Sequence, residues 1–322
     1  MFENLKKYIL KNNKNTNLEN NEEKVFVVIL LACFGDILVH NSLMQNIKTL
    51  YPNSKTVFIV DKPWEYIARY SKDVDDVCIY DKRGKYKGLL GMLRFAKDFK
   101  YKHIDYLLRF HPTERTRIVS HLLRPKKLIS VTINPEISMQ ENAANILKNI
   151  TDKEIHNYPI KFCYEGKLPD KFKEIFKKDK KYVAFCTTTK LVEKDMPIDT
   201  AVELINKLNE ANYEVVYIGA GQKAKDHAEQ FLDKNCKFIN LVNQTTLTEL
   251  ALILKSCNAL ISVDTGTMHY GYSMSVPTVG IFYKKDLVKL WAPNENLYNV
   301  KVLSDDITPQ NIYEKLELVL NK

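Results

Sequence analysis

The sequence predicts an α/β protein made of two doubly wound, parallel-stranded domains that face each other across a cleft. Three observations predict it. Short β-branched runs alternate with longer amphipathic segments from Val25 onward, and the alternation restarts at Lys181. Between the two series lies an apolar-poor, Lys-rich stretch, Glu165 to Lys180. With 322 residues and 45% hydrophobic content the chain exceeds the usual span of one domain, so two cores are expected. The expected division is a polar leader over 1–24, a first domain over 25–165, a linker over 166–180 and a second domain over 181–305. The last helical stretch, 306–322, has packing back on the first domain as one option.

The leader is rich in Asn, Lys and Glu. It reads either as a disordered tail or as an amphipathic helix with Phe2, Leu5, Ile9 and Leu10 on one side touching a membrane. In the first domain, apolar runs predict strands near 25–31, 55–60, 103–109 and 127–132. Amphipathic spacing predicts helices near 37–50, 63–70, 86–98, 113–123 and 137–149. In the second domain the strands fall near 181–186, 214–218, 237–240, 259–263 and 277–282. The helices there fall near 198–211, 222–233, 246–255, 266–275 and 308–320.

The longest apolar run, Val25 to Phe34, has the length of a buried strand and is too short to cross a bilayer. With no apolar segment of signal-peptide type at its start, the chain is expected in the cytoplasm. The six cysteines are scattered, without a C-x-x-C pair or a His at metal-ligand spacing, and read as reduced thiols. Neither a metal site nor a cofactor is expected. The formal charge of +9 favours an acidic partner, which could be a phosphorylated substrate or an anionic membrane surface. Nucleic acid is set aside, because no zinc-finger spacing, RNP-like strand or long basic run occurs.

In doubly wound folds ligands sit beyond the carboxyl ends of the strands, so the residues following each strand are the candidates. The segment from Ala259 to Tyr283 reads ALISVDTGTMHYGYSMSVPTVGIFY. A strand ends at Val263, and Asp264-Thr265-Gly266-Thr267 turns into a helix carrying His269. A glycine there can bring the main chain close to a phosphate, or adopt a backbone closed to other residues, and the helix directs free N–H groups at the same spot. Asp264 or Thr265 acting only as a helix cap is the competing reading. Phe34-Gly35-Asp36 follows the first strand in the same way, with Asp36 as either a cap or a general base. On the next wall, Arg109 and His111 end a strand. Arg117, His121 and Arg124 then recur at helical spacing, forming either a basic stripe facing the cleft or a solvated helix face.

Gly35-Asp36, Tyr51-Pro52, Lys194 with Met196-Pro197, Leu247, then Asp264-Thr265-Gly266 with His269 and Pro277 occur in one order along the chain. Together they resemble glycosyltransferase family 9, which contains the lipopolysaccharide heptosyltransferases, and the similarity runs from about Val25 to the last helix. The resemblance implies a GT-B fold of two Rossmann-like domains and inversion at the anomeric carbon. It also implies independence of metal and a nucleotide-diphosphate sugar donor, ADP-heptose, used on an anionic glycolipid acceptor at the inner membrane. It casts Asp36 as base. Lys194, with Lys190 as its rival, becomes the donor-phosphate ligand, and Thr265, Gly266 and Thr267 the diphosphate cradle shaped by Asp264 and His269. Arg109, His111, Arg117, His121 and Arg124 fall on the acceptor side.

Two departures are visible. Gly219-Ala220-Gly221-Gln222-Lys223 stands where some members carry a nucleoside-binding Glu, leaving Gln222 as the ribose partner. Tyr283-Lys284-Lys285 replaces a Gly and a Pro-containing loop. The Gly219, Gly221, Ala224 spacing also fits a dinucleotide fold, but no acidic residue ends the next strand, at Asn240.

Overall fold

The run VFVVIL forms β1 (Val25–Leu30), in which every residue from Phe26 onward is fully buried. A strand apolar on both faces needs helices on both sides, which places it at the centre of a parallel sheet. The computed structural model describes residues 23–321. In it β1 is flanked by β2 (Lys55–Asp61), β3 (Asp76–Tyr80), β4 (Tyr106–Arg109) and β5 (Lys127–Ser130). The order is β3-β2-β1-β4-β5, and every pairing is parallel. The leader residues Phe2, Leu5, Ile9 and Leu10 lie outside the described residues.

The second sheet contains β6 (Lys181–Cys186), β7 (Tyr213–Tyr217), β8 (Ile239–Asn240), β9 (Ala259–Val263), β10 (Thr278–Ile281) and β11 (Val300–Leu303). Its order is β11-β10-β9-β6-β7-β8, again all parallel. In each sheet the strand order reverses beside the first strand, between β1 and β4 and between β6 and β9. Those are the switch points where a doubly wound sheet opens a crevice.

Helices of the first half are α1 (Phe34–Val39), α2 (Ser42–Leu50), α3 (Glu65–Arg69), α4 (Gly88–Asp98), α5 (Glu114–Leu122) and α6 (Met139–Asn145). A turn of helix, α7 (Asp170–Lys173), lies between the sheets. The second half adds α8 (Ile198–Glu210), α9 (Gln222–Asp233), α10 (Leu247–Ser256), α11 (Gly266–Ser273), α12 (Val288–Trp291) and α13 (Pro309–Leu320).

The structure departs from expectation at several places. The helix expected over 37–50 is two helices, with a turn at His40 and Asn41 where Asn41 Nδ2 donates to Lys161 O at 3.3 Å. Strands β3 and β11 had no expectation. Both are edge strands, and their polar Asp76 and Lys301 hide the apolar signal that buried strands display.

The stretch expected as a linker, 166–180, is mostly exposed, but it is anchored at one residue. Phe172 is buried, and with Ile160 and Phe162 just before the stretch it joins Phe26 and Phe58 of the first sheet to Tyr182 of the second and Tyr270 of α11 in one core. Phe162 N donates to Ser273 O at 3.1 Å, and Ile160 N donates to Tyr298 Oη at 2.8 Å. The last helix does not pack back on the first domain. Ile312, Leu316 and Val319 of α13 bury against Val183, Leu204 and Leu208 of the second, so its apolar face is already satisfied there.

Candidate active site

The carboxyl ends of β1, β6 and β9 meet at one cleft of about 340 Å³. Its walls are Cys33, Phe34, Gly35, Asp36 and Trp64 from the first domain. Thr189, Lys190, Leu191, Lys194, Asp264, Thr265, Gly266, His269 and Trp291 come from the second.

On the first wall the chain leaves β1 and turns directly into α1. Asp36 Oδ2 accepts from Cys33 N at 2.9 Å, which settles the carboxylate over the helix start. Its Oδ1 faces His111 Nε2 at 3.7 Å, too far for a hydrogen bond, and the side chain keeps 16% of its exposure. One Asp36 oxygen therefore caps the helix start and the other is left open beside the cleft. Beneath it His40 is fully buried, with Nδ1 2.6 Å from Asp36 O and Nε2 without a hydrogen-bond partner among the described residues. Burial holds the His40 imidazole down at about 4, against a smaller upward pull from the Asp36 carbonyl.

On the second wall α11 starts at the end of β9 with Thr265 as its N-cap, and no side chain caps it. The cap reading of Asp264 and Thr265 is thus not what the fold uses. Asp264 is only 5% exposed and forms an ion pair with Lys194, whose side chain is 15% exposed. Lys194 Nζ also lies 3.4 Å from Asp264 O. The first N–H groups of α11 are left to the cleft, with a lysine held beside them, and that combination attracts an anion. Lys190 reaches the opposite wall, where its Nζ lies 3.0 Å from Cys33 Sγ. The rivals Lys190 and Lys194 therefore line the same cleft from different positions.

The glycines act through size. Neither Gly35 nor Gly266 has a positive φ; among the described glycines only Gly88 and Gly221 do. A Cβ on Gly35 would sit 2.9 Å from Gly266 Cα, and one on Gly266 would sit 2.5 Å from the Phe34 ring. The reading of Gly266 as a special backbone conformation is corrected: the missing side chain lets the two domains touch at the cleft floor.

His269 lines the cleft but is buried, sharing a 2.6 Å hydrogen bond between Nδ1 and Tyr272 Oη. Desolvation lowers its pKa, with Asp264 and Asp36 opposing less strongly, so it is a neutral wall at pH 7. Thr267 is not a lining residue.

Gln222 is exposed at the start of α9 and bonds Asp226 Oδ1 at 2.7 Å, away from the cleft lining. Arg109 is pinned by Nε and Nη2 to Ser130 Oγ at 3.0 and 2.6 Å. Burial, then the neighbouring Arg117 charge, lowers its pKa. Arg117 and His121 are exposed on α5. That helix runs back from the cleft end of β4, and its nine residues span about 13 Å. Arg124 beyond its far end lines another hollow with Lys97 and Lys102. The basic stripe therefore does not face the cleft as a unit.

Trp64 and Trp291 were missed. They are the chain's only tryptophans, one per domain, and that count was the available signal. Phe34 lies 5.6 Å from the Trp64 ring and His269 lies 6.1 Å from the Trp291 ring, so aromatic surface flanks both walls.

Two doubly wound sheets that meet at their switch points around an open carboxylate and an uncapped helix start have the GT-B architecture of a glycosyltransferase. Residues 129–316 match the model of "Glycosyltransferase family 9 (heptosyltransferase)". The chain belongs to glycosyltransferase family 9. A curated relative, the lipopolysaccharide core heptosyltransferase OpsX of Haemophilus influenzae, is 21% identical over 300 residues, covering 86% of this chain and 84% of that protein.

Among solved structures, a family 9 glycosyl transferase from Veillonella parvula superposes with TM-score 0.82 at 17% identity. The match covers 93% of this chain and 98% of that one. The E. coli heptosyltransferase WaaC with ADP superposes with TM-score 0.73 at 13% identity, covering 92% and 100%.

Proposed function

We propose that the protein transfers heptose from ADP-heptose, with inversion and without a metal, onto a lipopolysaccharide core or related surface-glycan acceptor. The observation that carries this reading is the division of labour in the cleft: an open carboxylate on one wall, and a lysine beside an uncapped helix start on the other. Asp36 Oδ1 takes the proton of the acceptor hydroxyl as that oxygen attacks the anomeric carbon. The bond from that carbon to the donor's β-phosphate oxygen breaks, and the oxygen leaves with the electron pair. Lys194 and the first N–H groups of α11 receive the developing charge.

His111 borders Asp36 on the acceptor side, and Trp64 and Trp291 offer ring faces to the sugars. Support for ADP as nucleotide comes from the solved relative named with ADP, and support for a lipopolysaccharide acceptor from the curated relative's name. No helix of the described residues is long and apolar enough to cross a membrane.

The test is incubation with ADP-heptose and a truncated core acceptor in excess EDTA, read by product mass spectrometry and by NMR of the new anomeric centre. A product of inverted configuration is expected. No transfer from ADP-heptose, with transfer from another nucleotide sugar in a panel, would move the donor assignment to that sugar. EDTA inhibition reversed by magnesium would overturn metal independence.

A further inference from the structure

Helix α4 reads GLLGMLRFAKD and turns one side to the first sheet, where Met92 and Phe95 join Tyr80, Tyr86 and Phe99 in the core. Its other side carries Leu89, Leu90 and Leu93, exposed by 62, 77 and 47%. Spacings of three and four residues put the three side chains on one face. The helix is seated firmly: a Cβ on Gly91 would lie 2.2 Å from the Tyr86 carbonyl carbon, and Tyr80 Oη donates to Tyr86 O at 3.1 Å. Three leucines held in water on a fixed helix mark a contact surface.

Charge decides what it contacts. From Lys82 to Lys97 the chain holds six cations, Lys82, Arg83, Lys85, Lys87, Arg94 and Lys97, and no carboxylate. Of the five beyond Lys82, all exposed, only Lys85 has an ion-pair partner among the described residues, Asp98 at 2.8 Å. A second copy of the chain pairing through this face would set one cation rim against another. Leucines ringed by unpaired cations suit an acyl boundary beneath anionic headgroups.

We infer that α4 and the basic loop before it dock the enzyme on an anionic lipid bilayer, with Leu89, Leu90 and Leu93 entering the acyl boundary. The surface is coupled to the cleft. α4 follows the carboxyl end of β3, on the rim that also carries the β1 and β2 loops. Lys82 is tied beneath those loops, pairing with the buried Asp61 at 2.8 Å and donating to Leu31 O at 3.2 Å. A docked molecule presents its cleft at the membrane surface. The docking stands on the leucines and the charge, and only its use, meeting a membrane-held acceptor, rests on the transfer reading.

The test is sedimentation of the full chain with phosphatidylcholine vesicles, with and without phosphatidylglycerol. Binding to the anionic vesicles is expected, weakened by salt and lowered at least tenfold in Leu89→Ser/Leu90→Ser/Leu93→Ser. Arg83→Glu/Lys87→Glu should lower it by a similar factor, since each cation near such a surface is worth about fivefold. The triple variant should keep the thermal unfolding midpoint and the transfer rate on a delipidated acceptor, and lose rate on the same acceptor in vesicles.

Unchanged vesicle binding by the triple variant overturns the proposal. So does binding that disappears on deleting residues 1–22 while the triple variant binds as the parent does. A parent dimer that the triple variant dissolves, with no vesicle binding by either, overturns it too. Failure of the parent to transfer to the delipidated acceptor strikes the transfer reading alone and leaves the docking result standing.

Discussion

Asp36 and Asp264 face one cleft from opposite walls, each beyond a strand beside a switch point and near the start of a helix, yet their surroundings give them different work. Asp264 is almost fully buried and spends its charge on Lys194. Asp36 gives one oxygen to Cys33 N and leaves the other open beside His111 at 3.7 Å. Each sheet brings a carboxylate to its switch point, and what faces that carboxylate decides whether it can accept a proton or must hold a cation. The first wall is thereby suited to the acceptor and the second to the phosphates.

Asp36→Asn breaks the comparison at its strongest point. It keeps the cap and removes the base, and should cost roughly 10²- to 10⁴-fold in kcat while ADP affinity is unchanged. Wild-type turnover would return Asp36 to a capping role alone. Lys194→Met, on the other wall, should cost about 10²- to 10³-fold and weaken ADP binding in titration calorimetry. Asp264→Asn should reproduce part of that loss, and the double variant should fall short of the product of the two. Multiplicative losses would mean that the ion pair does not position the lysine.

Beneath Asp36, His40 ties the first wall to pH. Its folded-state value of about 4 lies below the ordinary 6.5, so between those values the unfolded chain takes up a proton that the folded chain refuses. The stability contributed by keeping His40 neutral is fully present above pH 6.5 and is lost as pH falls toward 4. The loss is on the order of 3 kcal/mol over that window. Urea midpoints at pH 7 and pH 4.5 should differ less in His40→Gln, whose amide can still donate to Asp36 O. An unchanged pH dependence would remove His40 from the account.

Gly266→Ala should have the smallest effect. The added methyl meets the Phe34 ring, and overpacking of about 1–3 kcal/mol is partly offset by the better helix propensity of alanine. The unfolding midpoint should fall by a few degrees and kcat by about tenfold, with Phe34→Leu restoring both. If kcat is unaffected while the midpoint falls, the glycine contact serves stability only.

Much of the fold was legible along the chain. The buried strand VFVVIL and the Asp264 turn into a helix stand out because their apolar and Gly signals are local. β3 and β11 escaped because edge strands mix polar residues into short runs. The packed segment through Ile160, Phe162 and Phe172 escaped because its apolar residues are spaced too widely to show a period. In the site, Asp36, Lys190, Lys194, Asp264, Thr265, Gly266 and His269 converge. Gln222, Thr267, Arg117, His121 and Arg124 do not line the cleft, because position on an element says little about where a long side chain turns.

The sequence by itself determined two parallel α/β series, the strand ends that carry chemistry and a net positive charge of +9, since periodicity and charge are properties of neighbours and composition. Only the tertiary structure decided that Lys194 and Asp264, separated by 70 positions, form a pair. It alone showed that Gly35 meets Gly266 at the cleft floor and that Leu89, Leu90 and Leu93 stay exposed. Those outcomes depend on how two sheets pack, because only packing sets which residues distant in the chain exclude water together and which are left in it.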